Sequence, residues 1–446
     1  MATYSFETIT AAQALAFTAT DLLSFHSGTA TQASAAYLAS GDVAVTVGSL
    51  TVEFGPGLIA ASQLGLFAFP DGTRLYVGDG SANVENLQQD THQAALFGGD
   101  GNDTFTLGSA GGLEQGNQGN DNLTSTGQAT IYGGQGDDVI MLGDSGGFGQ
   151  GNKGDDSLVG GHGSETLLGG QGDDTIASTS SGFDADGANF LNGNLGNDSI
   201  HAGNGPDQIF GEGGNDTINA GQGNNFVDGG DGADSITGGA VASTLQGGAG
   251  DDWIVGTGVI DGGDGDDTLV GNAGDNNFLA ATVSGGAGND QVGGSNGDDV
   301  LSGGDGNDII IGGSGFDTES GGAGSDLFFF SSVDARIVVG GKHVAITDWT
   351  SSDQLTFGQS DSPRDTIAGT ASNYVEVSAF DQAAAIDAAT TQFRAGKLYV
   401  AVQVGSDVIV FANTLGTPTA PASDGVFLVG KSLADIDFSN IVQHTI

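Results

Sequence analysis

The sequence predicts an all-β chain, a right-handed parallel β-roll flanked by small β-rich amino- and carboxy-terminal capping domains. Three observations predict it. Nine-residue units of the form G-G-x-G-x-D-x-U-x, with U a large apolar residue, recur from Gly98 to Phe329. The acidic excess of the chain lies in the same tract, with net charge near −35 there against near −7 for residues 1–97 and near −6 for residues 330–446. Outside the tract the period stops, and alternating apolar residues with turn signals take over.

The units hold their register. GGDGNDTFT starts at Gly98, GGQGDDVIM at Gly133, GGDGNDIII at Gly303 and GGAGSDLFF at Gly321, and nineteen such units can be counted. Position four is Gly in all of them. Position six is Asp103, Asp121, Asp138, Asp156, Asp174, Asp198, Asp207, Asp216, Asp234, Asp252, Asp267, Asp290, Asp299, Asp308, Asp317 and Asp326, with Glu165, Asn225 and Asn276 as the exceptions. Position eight is Phe, Leu, Ile or Val except at Glu319. A Gly-rich tract of compositional origin does not keep three positions in step, so the period is structural.

Each position has a physical task. Glycines at positions one, two and four permit positive φ and close backbone approach, so the first six residues can curl into a turn with carbonyl oxygens inward. Those carbonyls and the position-six carboxylate form an all-oxygen cage that suits a hard cation, and Ca2+ tolerates irregular six- to eight-fold geometry better than Mg2+. The sixteen aspartates are therefore the candidate metal ligands, while weak or vacant sites are expected at Glu165, Asn225 and Asn276. The last three residues of a unit form a very short strand. Two units make a coil, and stacked coils give two parallel sheets with the position-eight side chains between them.

This pattern resembles the RTX family, the haemolysin-type calcium-binding repeat. The resemblance implies structural calcium ions, each held between the turn of one unit and the turn two units on, and export by type I secretion machinery guided by an uncleaved carboxy-terminal signal. Good units at Gly98, Gly116, Gly133, Gly151 and Gly169 then place calcium turns along one edge of the roll. The half-coils LGSAGGLEQ from Leu107 and LGDSGGFGQ from Leu142 lack the Asp and are expected to offer Leu113 and Phe148 to the core. Units are contiguous from Gly193 to Thr237 and from Gly285 to Phe329, so both edges are expected to bind there. The insertion SSGFDADGAN around Phe183 is expected to bulge out as a loop.

Residues 1–97 read as the amino-terminal cap and assembly domain. A short helix is expected at Ala11 to Leu15. In DVAVTVGSLTVEFG, Val43, Val45 and Val47, then Leu50, Val52 and Phe54, can line one face, and TRLYVGDG follows an Asp71-Gly72 turn as another strand. A solenoid exposes unpaired backbone at its ends, so caps prevent uncontrolled edge pairing. Residues 98–329 are the roll, and residues 330–446 the carboxy-terminal cap. Within this last segment, Ile346 to Phe357 resembles the I-x-D-aromatic and D-x-U-x-F closing strands of RTX proteins. A helix from Gln382 to Phe393, strands at Leu398 to Val404 and Val408 to Ala412, and a loop with Pro418 and Pro421 follow. The tail GVFLVGKSLADIDFSNIVQHTI resembles the family's terminal segment and is the expected secretion signal.

Charge and composition bound the function. With 56 acidic against 8 basic residues, nucleic acid and acidic membranes are poor partners. Without divalent ions the carboxylates repel, and ordering a Gly-rich chain costs roughly 1–2 kcal/mol per residue, so the repeats are expected to fold only when on the order of ten Ca2+ ions bind. There is no cysteine, no run of about twenty apolar residues to span a membrane, and no convincing amino-terminal signal peptide. Gly143-Asp144-Ser145-Gly146-Gly147 matches a serine-protease nucleophile motif, but it sits in a half-coil rather than a strand-to-helix elbow, and GGSNG at Gly293 fits the same pattern within another repeat. His26, His92, His162, His201, His343 and His444 are scattered, no H-E-x-x-H occurs, and no regular T-x-T ladder is present. The expectation is a secreted or cell-surface structural protein without enzymatic activity, a surface-layer, adhesive or filament-forming subunit assembling as a homo-oligomer or polymer through its terminal domains. A hydrolase with an unfamiliar site and a calcium-dependent binder of surface polysaccharide are the alternatives.

Overall fold

The computed structural model describes residues 2–65, 67–178, 187–239, 241–271, 280–331, 343–358, 368–413 and 425–442. The insertion around Phe183, position six at Asn276, the Pro418–Pro421 loop and His444 lie outside the described residues. The chain forms two compact units, residues 1–221 and 222–446.

In the first unit, strands stack in parallel from Arg74 onward, upstream of the first complete nonapeptide. Arg74–Val77 pairs with Ala94–Asp100, and Val84–Leu87 with Thr104–Leu107. From there the two sheets grow by alternate strands. One carries Thr104–Leu107, Asn122–Ser125, Val139–Met141, Ser157–Val159, Thr175–Ala177, Ser199–His201 and Thr217–Asn219. Its partner carries Ala94–Asp100, Gly112–Gln118, Ala129–Gln135, Gly147–Lys153, Glu165–Gln171, Phe190–Leu195 and Gln208–Gly213. Parallel pairing of this kind requires a return strand between neighbours, which the second half of each coil supplies.

The repeat sets what lies between the sheets. Position-eight residues Phe105, Leu123, Ile140, Leu158, Ile176, Ile200 and Ile218 form one buried column. Each such side chain contributes about 1.5–3 kcal/mol on burial. The facing column reads Leu96, Glu114, Ile131, Gly149, Leu167, Leu191 and Ile209. Here the half-coils depart from expectation. Leu113 and Phe148 do not enter the core; the pleat turns Glu114 and Gly149 inward instead, and a one-residue offset reverses the face of every side chain. Leu113 packs against the amino-terminal block, and Phe148 lies on the outer face beside Tyr132, ring centroids 5.5 Å apart.

The amino-terminal block has its own apolar core around Phe6, Phe17, Phe25, Phe54, Phe67 and Phe69. The helix Ala11–Leu15 forms where expected, with Thr10 and Gln13 making a reciprocal capping box. Ala33–Tyr37, Val43–Val47 and Leu50–Phe54 form an antiparallel sheet in which Val43 faces Phe54 and Val45 faces Val52. Leu50 is exposed at the hairpin tip rather than lining the buried face. A helix not anticipated, Gly57–Gln63, covers the edge of Arg74–Val77; the Ser62 hydroxyl accepts the Val77 N–H and donates to its carbonyl, both at 3.0 Å.

The second unit repeats the roll with columns Ile236, Ile254, Leu269, Val292, Ile310, Phe328 and Leu355 facing Val227, Leu245, Ile260, Val283, Leu301, Glu319 and Ile346. The closing strands are Ala345–Ile346 and Gln354–Gly358, as the I-x-D-W and D-x-L-x-F segments suggested. Beyond them, Tyr374–Ala379, Tyr399–Val404, Asp407–Ala412 and Gly425–Leu428 form a sheet covered by the helix Gln382–Arg394, with Asp381 capping its first turn. The tail folds back on the last strand: Val442 N–H donates to Leu355, and the Trp349 indole donates to the Asp435 carbonyl, both at 2.9 Å.

Candidate metal centres

The turns owe their shape to backbone conformations that only glycine and a few polar residues adopt. At four units where position two is not glycine it is Asn117, Asn152, Asn194 or Glu212, each at φ between 75° and 82°, whereas Ser295 holds that position in the unit of Asp299 without a positive φ. Asparagine is the side chain that tolerates this region best.

Every predicted ligand is buried, at most 2% exposed, in one of two edges. The first edge holds Asp103, Asp121, Asp138, Asp156, Asp174, Asp198 and Asp216 in the first unit, and Asp234, Asp252, Asp267, Asp290, Asp308 and Asp326 in the second. Within each unit the backbone N–H of one Asp donates to Oδ1 of the Asp one coil later: Asp103 to Asp121 at 2.7 Å, Asp138 to Asp156 at 2.7 Å, Asp252 to Asp267 at 2.8 Å, Asp308 to Asp326 at 3.0 Å. One carboxylate oxygen therefore builds the solenoid. The other, Oδ2, makes no hydrogen bond in Asp103, Asp121, Asp138, Asp156, Asp174, Asp198, Asp252, Asp267, Asp290, Asp308 and Asp326, although it is shut away from solvent.

Those oxygens point at a common kind of place. A Cβ built on Gly133 would run into the Asp138 carboxyl and lie 2.8 Å from the Gly151 carbonyl oxygen; one built on Gly262 would run into Asp267 and lie 2.5 Å from the Gly285 carbonyl. In these first-edge turns position one must be glycine because an orphaned carboxylate oxygen and a carbonyl of the next coil converge over its Cα, whereas two second-edge units carry Ala202 and Ala220 there. No three Asp, Glu or His side chains converge among the described residues. A bound ion would therefore be held by single carboxylates from the turns together with backbone carbonyls, a donor set of hard oxygens that fits Ca2+.

Burial makes these carboxyls basic in the absence of an ion. It pushes Asp138 up to about 8, Asp103, Asp174 and Asp252 to about 7, and Asp121, Asp156, Asp198, Asp267 and Asp308 to about 6, while the N–H bond from the preceding coil pulls each the other way. A cation in the cage removes the reason for the shift.

The second edge is patchier. In the first unit the position-six column runs Ala94, Gly112, Ala129, Gly147, Glu165, Asn189 and Asp207, and the Asn189 N–H donates to Asp207 at 2.8 Å. In the second unit Asn225, Ser243, Gly258 and Ala281 precede Asp299 and Asp317, and the Asp299 N–H donates to Asp317 at 2.9 Å. Asp299 differs from the first-edge residues, since its Oδ2 accepts the Ser295 N–H at 2.8 Å within its own turn.

Three residues of these edges went unrecognised in the sequence. Asn83 extends the first-edge ladder of the first unit upstream and Asp353 that of the second unit downstream, accepting in their own turns from Asp79 at 2.9 Å and Thr350 at 2.6 Å. The Asp of the D-x-L-x-F segment was the available signal for Asp353. The third is Glu319, the one position-eight exception: a Cβ on Gly312 would lie 2.5 Å from Glu319 Oε1 and 2.6 Å from Asp317 Oδ2, so two carboxylates share that turn.

The other residues considered for chemistry are dispersed. Ser145 lies in an exposed second-edge turn, and Asp144 bonds His162 at 2.7 Å in the equivalent place one coil later, both at the surface. His26 and His92 pair with Glu7 and Asp90, and His343 stacks on Phe427. Among the described residues no helix is long and apolar enough to cross a membrane.

Comparison with known proteins agrees with the geometry. The family model described as RTX calcium-binding nonapeptide repeat (4 copies) matches residues 95–110, 143–176, 184–278 in overlapping copies, and 282–319. No curated protein matches the sequence. Among solved structures, the extracellular lipase LipA from Serratia marcescens aligns at 19% identity with a TM-score of 0.19, over 64% of this chain and 39% of the lipase. The chain thus spans well under half of that enzyme's length, and at this TM-score the enzyme's activity has no bearing on this chain. With the nonapeptide register, the stacked parallel coils and the orphaned cage oxygens in agreement, residues 95–319 are an array of RTX calcium-binding nonapeptide repeats.

Proposed function

We infer that this is a secreted, calcium-folded structural protein without enzymatic activity, a subunit of a surface layer, adhesive matrix or filament. The observation that carries the reading is the first-edge ladder within each unit, in which residues such as Asp121, Asp138 and Asp267 accept the N–H of the preceding coil with one oxygen and keep the other for an ion. A chain that devotes its repeats to ion cages, and whose terminal blocks pack as small β-rich caps, has the build of a calcium-set strut. RTX repeat proteins are typically secreted and are consistent with type I export; here the tail that folds back on the last strand is the segment we assign to that machinery. Self-assembly through the terminal blocks would join subunits.

The test is light scattering with negative-stain microscopy on the purified chain, titrated from chelator to several millimolar Ca2+ and back. Ordered sheets or filaments that appear with Ca2+ and dissolve with chelator are the expected result. A folded chain that stays monomeric at high concentration, and turns over esters or glycosides in a substrate panel, overturns the reading.

A further inference from the structure

The second edge loses its aspartates in runs, and where it does the surface opens. In the first unit a groove of roughly 390 Å³ lies over the turns that carry Gly112, Ala129 and Gly147, lined by Phe148, Thr130, Gln128, Gln93, Ser164 and Thr31. In the second unit a groove of roughly 400 Å³ lies over the turns that carry Asn225, Ser243 and Gly258, lined by Phe226, Thr244, Ser243, Asn224 and Val259. The two are built alike from different sequence: a phenylalanine on an outward strand position, flanked by hydroxyls and amides, over successive turns that lack the acidic ligand. Their volumes fall in the range of small-molecule sites.

Neither groove is lined by a charged residue, in a chain whose formal net charge is −48. In the first unit the neutrality extends outward from the groove. Two of the outward columns of that sheet, one through Leu113, Phe148 and Phe190 and the other through Tyr132, Leu168 and Phe210, contain no charged side chain over the strands from Gly112 to Gly213; the acidic Glu212 lies in the next column, where it accepts from Asn192. Aromatic pairs sit on it, Tyr132 with Phe148 at 5.5 Å and Phe190 with Phe210 at 5.4 Å between centroids.

We propose that these two grooves bind neutral polysaccharide. Rings present a flat apolar face to the C–H side of a pyranose, while amides and hydroxyls exchange hydrogen bonds with sugar hydroxyls. Both groups are present without a carboxylate, which would favour a cation, or a guanidinium, which would favour a uronate. The strand spacing of about 4.8 Å repeats these contacts along the face in steps that suit an extended sugar chain. The calcium edge and the glycan edge are then opposite sides of one coil, the first setting the rigidity that the second uses. The inference goes beyond the structural role proposed above and does not depend on self-assembly.

The test is affinity electrophoresis of the full, Ca2+-loaded chain in gels containing a mixed-linkage β-glucan, a mannan, a dextran or, as an acidic control, alginate. Retardation by at least one neutral polymer and none by alginate is expected. The Phe148→Ala/Phe226→Ala double variant should weaken the dissociation constant at least tenfold, and Phe148→Tyr/Phe226→Tyr should restore it, with circular dichroism in Ca2+ unchanged in both. No retardation by any neutral polymer, equal retardation by alginate, or retardation indifferent to the alanine pair overturns the proposal. So does a mass from light scattering that rises with concentration and falls to monomer in the alanine pair without glycan, because the grooves are then contacts between copies. Sheets or filaments formed with Ca2+ by the alanine pair leave the structural reading standing whatever the gels give.

Discussion

Asp138 does two jobs with one carboxylate, and the two can be separated. Its Oδ1 accepts the Asp121 N–H at 2.8 Å, and its Oδ2 faces the Cα of Gly133 and the carbonyl of Gly151. Asp138→Asn keeps an acceptor for the ladder but removes the charge, so Ca2+ stoichiometry by calorimetry should fall by one or two ions while the coil still forms. Asp138→Ala also orphans a buried N–H, which costs a further 1–3 kcal/mol or so and should lower the thermal midpoint below that of the Asn variant. Glu114 makes the opposite case. It is fully buried in the core column between Leu96 and Ile131, and burial, which outweighs the opposing pull of the Leu107 backbone, holds its carboxyl far above the ordinary range. Its raised pKa means that the stability it permits is complete below about pH 4.5 and declines as pH rises. Glu114→Leu should therefore stabilise the Ca2+-loaded chain by about 1–3 kcal/mol in urea unfolding, with a gain that grows between pH 5 and 8. A loss of stability in that variant would assign the Glu114 carboxyl to an ion.

At the scale of the coil, the same sign rule governs the metal-free edge. Among the first-edge carboxyls, Asp103, Asp121, Asp138, Asp156, Asp174, Asp198, Asp252, Asp267 and Asp308 sit at about 6 to 8 when folded against an ordinary 3.8, and burial raises Asp290 and Asp326 as well, so folding without an ion takes up protons. That contribution is complete below about pH 4 and disappears as pH rises through 6 to 8. In chelator, the circular dichroism of the roll should thus become more β-like on acidification from pH 8 to 4, whereas with Ca2+ present the affinity should drop below pH 6 as protons compete for Oδ2. The period-nine pattern made this element legible: Gly at position one, Asp at six and an apolar residue at eight correspond one to one with cradle, rung and core. What the pattern could not carry was the half-coils. Without Asp and the paired glycines there is no register mark, and LEQ and FGQ each offer two candidate inward residues one apart; the larger apolar side chain was the natural choice, and backbone pairing with the flanking coils selected its neighbour instead. The helix Gly57–Gln63 was hidden for a similar reason, since seven residues after Gly55-Pro56 give too short a run to display a period.

Across the whole chain, the balance is between carboxylates that repel and ions that join them. Chelation at neutral pH should abolish the cooperative thermal transition and expand the chain in small-angle scattering, and the midpoint should rise with the logarithm of Ca2+ concentration, as mass action on a folded-state ligand requires. A midpoint independent of Ca2+ would remove the ion from the folding reaction. The ladder also has a direction. Each rung receives its N–H from the coil before it, and in residues 222–446 the last rung, Asp353, has its second oxygen filled by Thr350. That rung is finished without an ion, so the coil ending at Asp326 is expected to find a completed face to settle on and later layers to be laid from it toward the amino terminus. Residues 222–446 would in this respect grow like a one-dimensional crystal from one face, and their refolding rate in stopped-flow is expected to rise with Ca2+ concentration.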